Sequence, residues 1–416
     1  MFKISKVKSR FVLDSRGIPT VQVMTVVNKG DVDYYGVSSV PSGASTGTYE
    51  ALELRDGGKA YMGKHVLKAI ANVNDVIAPA LVGKTFSSIN DIESAILACD
   101  PTPNKSNLGA NAILGASMSA HKACAKAEGK HLFEFLNHTY FGDHAMKSMP
   151  RLMCNVINGG AHADSGLAIQ EFMIVPNTKN LESDIEIASE VYHTLKGKLK
   201  KDGHSVALGD EGGFAPHIKT STEVLDYLVD SIKAADYTGK CDLAMDCAAS
   251  EFFKAGVYTL DNKEMDSKEL NAFYVELADK FPLISIEDGF HEDDFAGWKL
   301  QTETMGKGTI LVGDDLFVTN PTRFQEVGLD KDLANAVLIK LNQIGSVSET
   351  CKIINDAKKN NYKTIVSHRS GETTDAFMSD LAVASQSEFI KLGAPARGER
   401  VAKYNRLLEI LDYMDK

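Results

Sequence analysis

The chain has 416 residues, 44% apolar and 24% charged, with a formal net charge of −11. That length holds two or three domains, or a barrel with an addition, and the acidic balance argues against binding nucleic acid or an anionic membrane. No run of about 18 apolar residues marks a membrane helix.

Residues 1 to about 40 predict three antiparallel strands. The run 7–13 stops at the turn Asp14-Ser15-Arg16-Gly17, the run 20–27 at Asn28-Lys29-Gly30, and 31–40 follows. The opening Met1-Phe2-Lys3-Ile4-Ser5-Lys6 carries no apolar signal core. Six scattered cysteines without a C-x-x-C pair read as free thiols in a reducing compartment, so the expected location is the cytoplasm. The small polar segment 41–47 is expected as a mobile loop, the bland alternative being a simple connector. Helical spacing then covers 61–80, 88–99 and 109–128. Residues 1–136 are therefore expected to form an α+β domain, with a linker over 137–150.

From Arg151 the pattern changes. Eight short apolar runs occur at 152–156, 172–175, 243–245, 283–286, 310–312, 337–339, 364–366 and 389–390. Helical segments at 181–200, 221–235, 267–279, 346–359 and 374–385, with weaker ones at 294–305 and 321–328, separate most of them. This rhythm predicts an α/β fold whose residues 137–416 close into a β/α barrel. One connection departs from it: a glycine-rich loop carrying His162, and no helix, lies between the first two runs. A link that short implies an antiparallel pair. Two helices then follow in succession before the third strand. The trace places His162, Glu171 and the loop Gly209-Asp210-Glu211-Gly212-Gly213 on the rim that receives the carboxyl ends of the rising strands.

Those strand ends carry Asp246, Glu287, Asp314, Lys340, His368 with Arg369 and Ser370, and Lys391. Reactive groups of such barrels gather on that rim. A single charge after an apolar run is commonplace as a cap or salt bridge; six in succession is not. Lys340 follows four apolar residues, so desolvation is expected to lower its pKa and leave a neutral amine able to accept a proton. The plain alternative is a lysine that snorkels to solvent.

Asp246, Glu287 and Asp314 come from consecutive strands and can converge. Three carboxylates repel unless protonated or neutralised, and hard oxygen ligands suit Mg²⁺ better than zinc; the alternative is an acidic surface cluster. Arg369 and Lys391 suit a phosphate and a carboxylate. With Lys340 neutral, the carboxylates of Asp246, Glu287, Asp314, Glu171 and Glu211 against these two cations leave the site at −3. Two divalent cations would bring it to +1, so metal binding and anionic-substrate binding are expected to be coupled.

The motifs DSRGIPT, VPSGASTG, EALELRDG, NGGAHA, QEFMIVP, GDEGGFAP, LAMDC, SIED, VGDDLFVTN, LIKLNQIG, SHRSGET and IKLGAPARGER run along nearly the whole chain. In this order they resemble the enolase family. The resemblance implies an N-terminal α+β domain followed by a ββαα(βα)₆ TIM-like barrel, in agreement with the trace. It also implies reversible, Mg²⁺-dependent dehydration of 2-phosphoglycerate to phosphoenolpyruvate in glycolysis and gluconeogenesis. Carried over by position, Lys340 takes the C2 proton, and Glu211 protonates the departing C3 hydroxyl with Glu171 holding or sharing the proton. Asp246, Glu287 and Asp314 bind the first Mg²⁺, and Ser45 on the 41–47 loop reaches a second that binds with substrate. Lys391 and the metals stabilise charge on the substrate carboxylate, Arg369 and Ser370 bind phosphate, and His162 and His368 line the closed site. A homodimer or larger homo-oligomer is also implied. A sugar-acid dehydratase is disfavoured because such relatives lack this N-terminal loop set and the Arg369-Ser370 pair. A catalytically silent, plasminogen-binding paralogue, to which the terminal Lys416 points weakly, is disfavoured because Lys340, Glu211 and the metal carboxylates are all present.

Overall fold

A computed structural model describes residues 1–43, 47–143, 145–163 and 165–414. At the amino end, β1 (Phe2–Leu13), β2 (Pro19–Lys29) and β3 (Val32–Ser39) form the expected antiparallel meander. A two-residue strand the sequence reading lacked, β4 (Thr85–Phe86), adds to the other edge of β1. Val21, Val23, Thr25 and Val27 alternate onto a fully buried face, as the period of a strand requires.

Small residues let the helix Ala110–Ala127 lie directly on that sheet. A Cβ at Gly36 of β3 would overlap the Ser119 carbonyl oxygen and stand 2.5 Å from the Ala123 backbone nitrogen. Both obstacles are backbone, so the helix itself would have to move. Gly36→Ala is therefore expected to destabilise the fold by about 1–3 kcal/mol, read as a lower urea midpoint. An unchanged midpoint would contradict this account of the contact.

Two expectations in this region are corrected. Residues 61–66 do not form the expected α-helix: Ala60–Gly63 is a short 3-10 turn in which Tyr61 and Met62 take φ of 48° and 57°, and the α-helix starts with Leu67–Asn72. The linker expected from 137 begins inside a helix, Leu132–Tyr140. Its Phe133, Phe135 and Leu136 are buried, and the Asn137 Nδ2 donates to the Ala384 carbonyl at 2.9 Å.

The barrel has its eight strands where the apolar runs stand. They are β5 (Arg151–Asn158), β6 (Glu171–Pro176), β7 (Cys241–Asp246), β11 (Leu283–Glu287), β12 (Ile310–Gly313), β13 (Ala336–Ile339), β14 (Lys363–Ser367) and β15 (Phe389–Lys391). They close in the order β11-β12-β13-β14-β15-β5-β6-β7. β6 runs antiparallel to both β5 and β7, and the other neighbours are parallel. A small antiparallel ladder, β8 (Phe253–Lys254), β9 (Val257–Leu260) and β10 (Lys263–Met265), was not expected and lies outside the barrel sheet. Side chains such as Met153, Met173, Val312, Leu338 and Ile365 fill the barrel interior, while Val337 and Ile339 join the larger core that includes the helices. Burial on both faces is why these strands read as unbroken apolar runs rather than alternating ones.

The amino-terminal sheet and helices sit over the carboxyl-end mouth. Ser15 N–H donates to the Glu372 carbonyl at 2.7 Å, and Ser42 and Gly371 exchange backbone hydrogen bonds. Lys122 holds Asp375 at 2.7 Å. The first turn of helix Val347–Lys359 is capped across this junction, with Ser117 Oγ and Glu93 Oε2 each accepting a backbone N–H at 3.0 Å. Among the described residues no helix is long and apolar enough to cross a membrane.

Candidate active site

Each rising strand delivers a functional group at or just beyond its last residue. Asp246, Glu287 and Lys391 end β7, β11 and β15, while Asp314, Lys340 and His368 directly follow β12, β13 and β14. Ladder register sets Asp246 beside both Glu171 and Glu287. Glu211 arrives on a tight turn, 209–213, within the long link between helices Leu181–Lys201 and Ser221–Ala234. Gly212 takes φ +85°, and a Cβ at Gly213 would stand 2.6 Å from Asn158 Oδ1, so the loop lies against β5 only because these positions have no side chain. A narrow polar cavity is lined by His162, Gln170, Glu171, Glu211, Lys340, Ser367, His368, Arg369, Ser370 and Lys391. Thus Lys340 and the Glu171–Glu211 pair face one space. Ser45 and Lys416 lie outside the described residues.

Lys391 is the central cation. Its Nζ donates to Asp246 Oδ2 at 2.8 Å and Glu287 Oε1 at 2.9 Å, and stands 3.2 Å from Glu171 Oε1. Burial pushes its pKa down, but these carboxylates outweigh it and raise it well above the usual lysine range. Lys340 departs from expectation. Burial lowers its pKa as anticipated, but its ammonium is in contact with Asp314 Oδ2, and that attraction leaves the net shift upward. The amine is therefore charged in this arrangement. A neutral base requires another cation to draw off the Asp314 charge.

The two acids across the cavity are separated in pKa. Burial, then Glu211, raise Glu171 well above the carboxylate range. Burial also pushes Glu211 up, but His368 and His162, with Arg400 further off, hold it well below. Asn155 Nδ2 donates to Glu211 Oε2 at 2.9 Å, which suits an ionised acceptor. One proton held by this pair therefore rests on Glu171. His162 Nδ1 lies 3.5 Å from Glu171 Oε1 and 3.7 Å from Glu211 Oε1. Arg369 makes a two-pronged contact with Glu50, at 3.0 and 3.1 Å, and donates to Asn342 Oδ1 at 3.0 Å.

The acidic groups fit a hard divalent cation. Burial and the neighbouring Asp246 push Glu287 well up in pKa, and its Oε2 is buried with no hydrogen-bond partner. A buried carboxylate oxygen without a donor, in an all-oxygen set, is the chemistry Mg²⁺ satisfies. The tight groupings differ from the expected triad: among the described residues Asp246 and Glu287, both held by Lys391, do not converge with Asp314. Asp288, Asp314 and Asp315 form one tight grouping, and His162, Glu171 and Glu211 another. Burial and Asp314 push Asp315 up to about 8.

Sequence reasoning also missed residues that hold these groups. Gln343 Nε2 donates to Asp314 Oδ1 at 2.7 Å and to Glu50 Oε1 at 3.2 Å, and Gln170 Nε2 to Asp246 Oδ2 at 3.3 Å. Asp288 accepts the backbone N–H groups of Asp314 and Asp315 at 2.9 and 2.8 Å. Their signal was adjacency: Asp288, Asp315 and Gln343 each stand within three residues of a strand-end charge.

A closed barrel with its titratable groups gathered at the carboxyl-end rim defines a β/α-barrel enzyme. A model of the enolase N-terminal domain matches residues 4–136, and one of the enolase C-terminal TIM barrel domain matches 146–416. A protein named Enolase from Elusimicrobium minutum is 52% identical over 417 residues, covering 100% of this chain and 97% of the relative. Proteins of the same name from a Nitratiruptor species and from Campylobacter jejuni subsp. doylei are 48% and 49% identical, each covering 99% of this chain and 96% and 97% of themselves. The chain belongs to the enolase family. It is accordingly a lyase of the hydro-lyase class.

Proposed function

We propose that the chain dehydrates 2-phosphoglycerate to phosphoenolpyruvate, reversibly, as a Mg²⁺-dependent cytoplasmic enzyme of glycolysis and gluconeogenesis. The observation that carries the reading is one cavity with Lys340 on its wall and the Glu171–Glu211 pair also facing it. Removal of a C2 proton and loss of a C3 hydroxyl need a base and an acid that reach the same small molecule.

Lys340 first releases the proton it holds beside Asp314, and as the neutral amine it then takes the C2 proton. Negative charge then develops on the substrate carboxylate, where the Lys391 ammonium stabilises it. Glu211 gives a proton to the C3 oxygen as the C3–O bond breaks, and water leaves. Glu171, the pair's high-pKa member, supplies the proton that Glu211 passes on. Arg369 and Ser370 hold the phosphate, and His162 and His368 exclude water and support the two acids. Asp246, Glu287 and Asp314 would hold Mg²⁺, with Ser45 contributing to a second ion, and divalent charge there would offset the carboxylates and favour the anionic substrate.

Treatment with EDTA is expected to abolish formation of the conjugated product, followed by ultraviolet absorbance, and added Mg²⁺ to restore it. Full activity after exhaustive chelation, or none from 2-phosphoglycerate with Mg²⁺ present, would end this reading. Mass measurement under native conditions tests the homodimer expected from the family.

A further inference from the structure

Arg400, in helix Gly398–Met414, is completely buried although it always carries charge. Its guanidinium makes four contacts, all with rim loops. One amino group donates to His368 Nδ1 and to the Arg369 carbonyl, both at 2.6 Å. The other donates to the Ser370 carbonyl at 2.6 Å and the Asp210 carbonyl at 3.0 Å. It thus ties the loop after β14 to the loop that presents Glu211. The nearest carboxylate oxygen, Glu399 Oε1, is 3.6 Å away and makes no hydrogen bond with it.

The contact with His368 decides a protonation state. A guanidinium can only donate, so the ring atom facing it must accept. His368 Nδ1 therefore carries a lone pair, and the single ring proton is on Nε2. A second proton on the ring would set two donors against each other at hydrogen-bonding distance. Burial first, with Arg400 adding to it, pushes His368 down to about 4 despite the nearby Glu211. The protonated Nε2 lies 3.2 Å from Glu211 Oε2, not yet aligned for a hydrogen bond. Gly393 leaves the ring and the guanidinium no slack, since a Cβ there would meet Arg400 Cδ at 2.9 Å and His368 Cε1 at 3.1 Å.

We propose that Arg400 is a positioning residue that locks His368 in the neutral, Nε2-protonated tautomer, so that His368 can only donate to Glu211 and cannot take its proton. The inference rests on the dehydration reading, in which Glu211 serves the C3 oxygen. An imidazole with a free Nε2 lone pair beside Glu211 would compete for the proton that the leaving hydroxyl needs. With Nε2 protonated, the route by which Glu211 could lose its proton to His368 is closed. The resulting carboxylate then has an N–H beside it as C3–O cleaves and water departs.

The tautomer can be read directly from ring-¹⁵N histidine NMR of the full chain at neutral pH, with His368→Gln to assign the signal. Wild type is expected to show an unprotonated Nδ1 and a protonated Nε2. Arg400→Met removes the donor and should move the proton wholly or partly to Nδ1. Dehydration should then fall roughly tenfold to a hundredfold, while Lys340-dependent exchange of the C2 hydrogen stays within about threefold. Arg400→Lys keeps the charge but has one ammonium for four acceptors, and should show the same split in milder form. A wild-type His368 protonated at Nδ1 overturns the proposal, and so stands as the test should Arg400→Met fail to fold. An unchanged tautomer in a folded variant, or a changed one without a slower dehydration, overturns it as well. The tautomer is measured without substrate, so a wild type inactive on 2-phosphoglycerate would sink the proposed reaction while leaving the lock itself to stand or fall on the spectrum.

Discussion

Replacing Lys340 by alanine is expected to abolish both dehydration of 2-phosphoglycerate and exchange of its C2 hydrogen with D₂O. The amine follows β13, and it is the group that lines the cavity while touching Asp314. Loss of a positioned base alone costs about 10²–10⁴ in rate. Alanine also removes a half-buried cation from beside Asp314, leaving that carboxylate less compensated. Loss beyond the lower end of that range is therefore the expected result, measured by product absorbance and by the fading C2 proton signal. Exchange persisting at the wild-type rate would show that another group takes the proton.

Glu211→Gln is expected to separate the two steps. Glutamine keeps an oxygen that can accept from Asn155 Nδ2 and fills nearly the same volume. It cannot supply a proton to the C3 oxygen. Dehydration should drop by about 10²–10⁴, whereas Lys340 should still exchange the C2 hydrogen within a few fold of wild type. If exchange disappeared together with dehydration, the division of labour between Lys340 and Glu211 would be wrong. The contrast between the two variants matters more than either loss, because a general disturbance of the rim would depress both reactions in both proteins.

Much of this arrangement could be read along the chain. The eight barrel strands stand where eight apolar runs stand, and the missing helix after β5 announced the antiparallel β6 and hence the upward-facing Glu171. The charged strand ends were legible for the same reason: a residue that terminates a short buried strand has its position along the barrel axis fixed by the strand itself. The amino-terminal meander followed from its turns. Weaker local signals were misread at 61–66, where glycines 57, 58 and 63 interrupt the helical spacing. The helix Leu132–Tyr140 was overlooked although Leu132, Phe133, Phe135 and Leu136 already show an apolar face.

The supporting residues were not legible in this way. Arg400 meets His368 across 32 positions, Asn155 meets Glu211 across 56, and Glu50 meets Arg369 across 319. None has a neighbour in sequence that reveals its partner. Proton affinity escapes local reading for the same cause. Burial alone argued for a neutral Lys340, but Asp314, 26 residues away, reverses the sign.

Run length, period and turn chemistry, all local quantities, thus determined the barrel, its direction reversal and the roster of groups on its rim. Only the tertiary structure decided which way each proton affinity moves: Glu171 up and Glu211 down, Lys340 up beside Asp314, His368 down by burial and Arg400. A strand's pattern depends on residues a few positions apart. A pKa or a tautomer depends on every charge and donor within a few ångströms, whatever part of the chain it comes from.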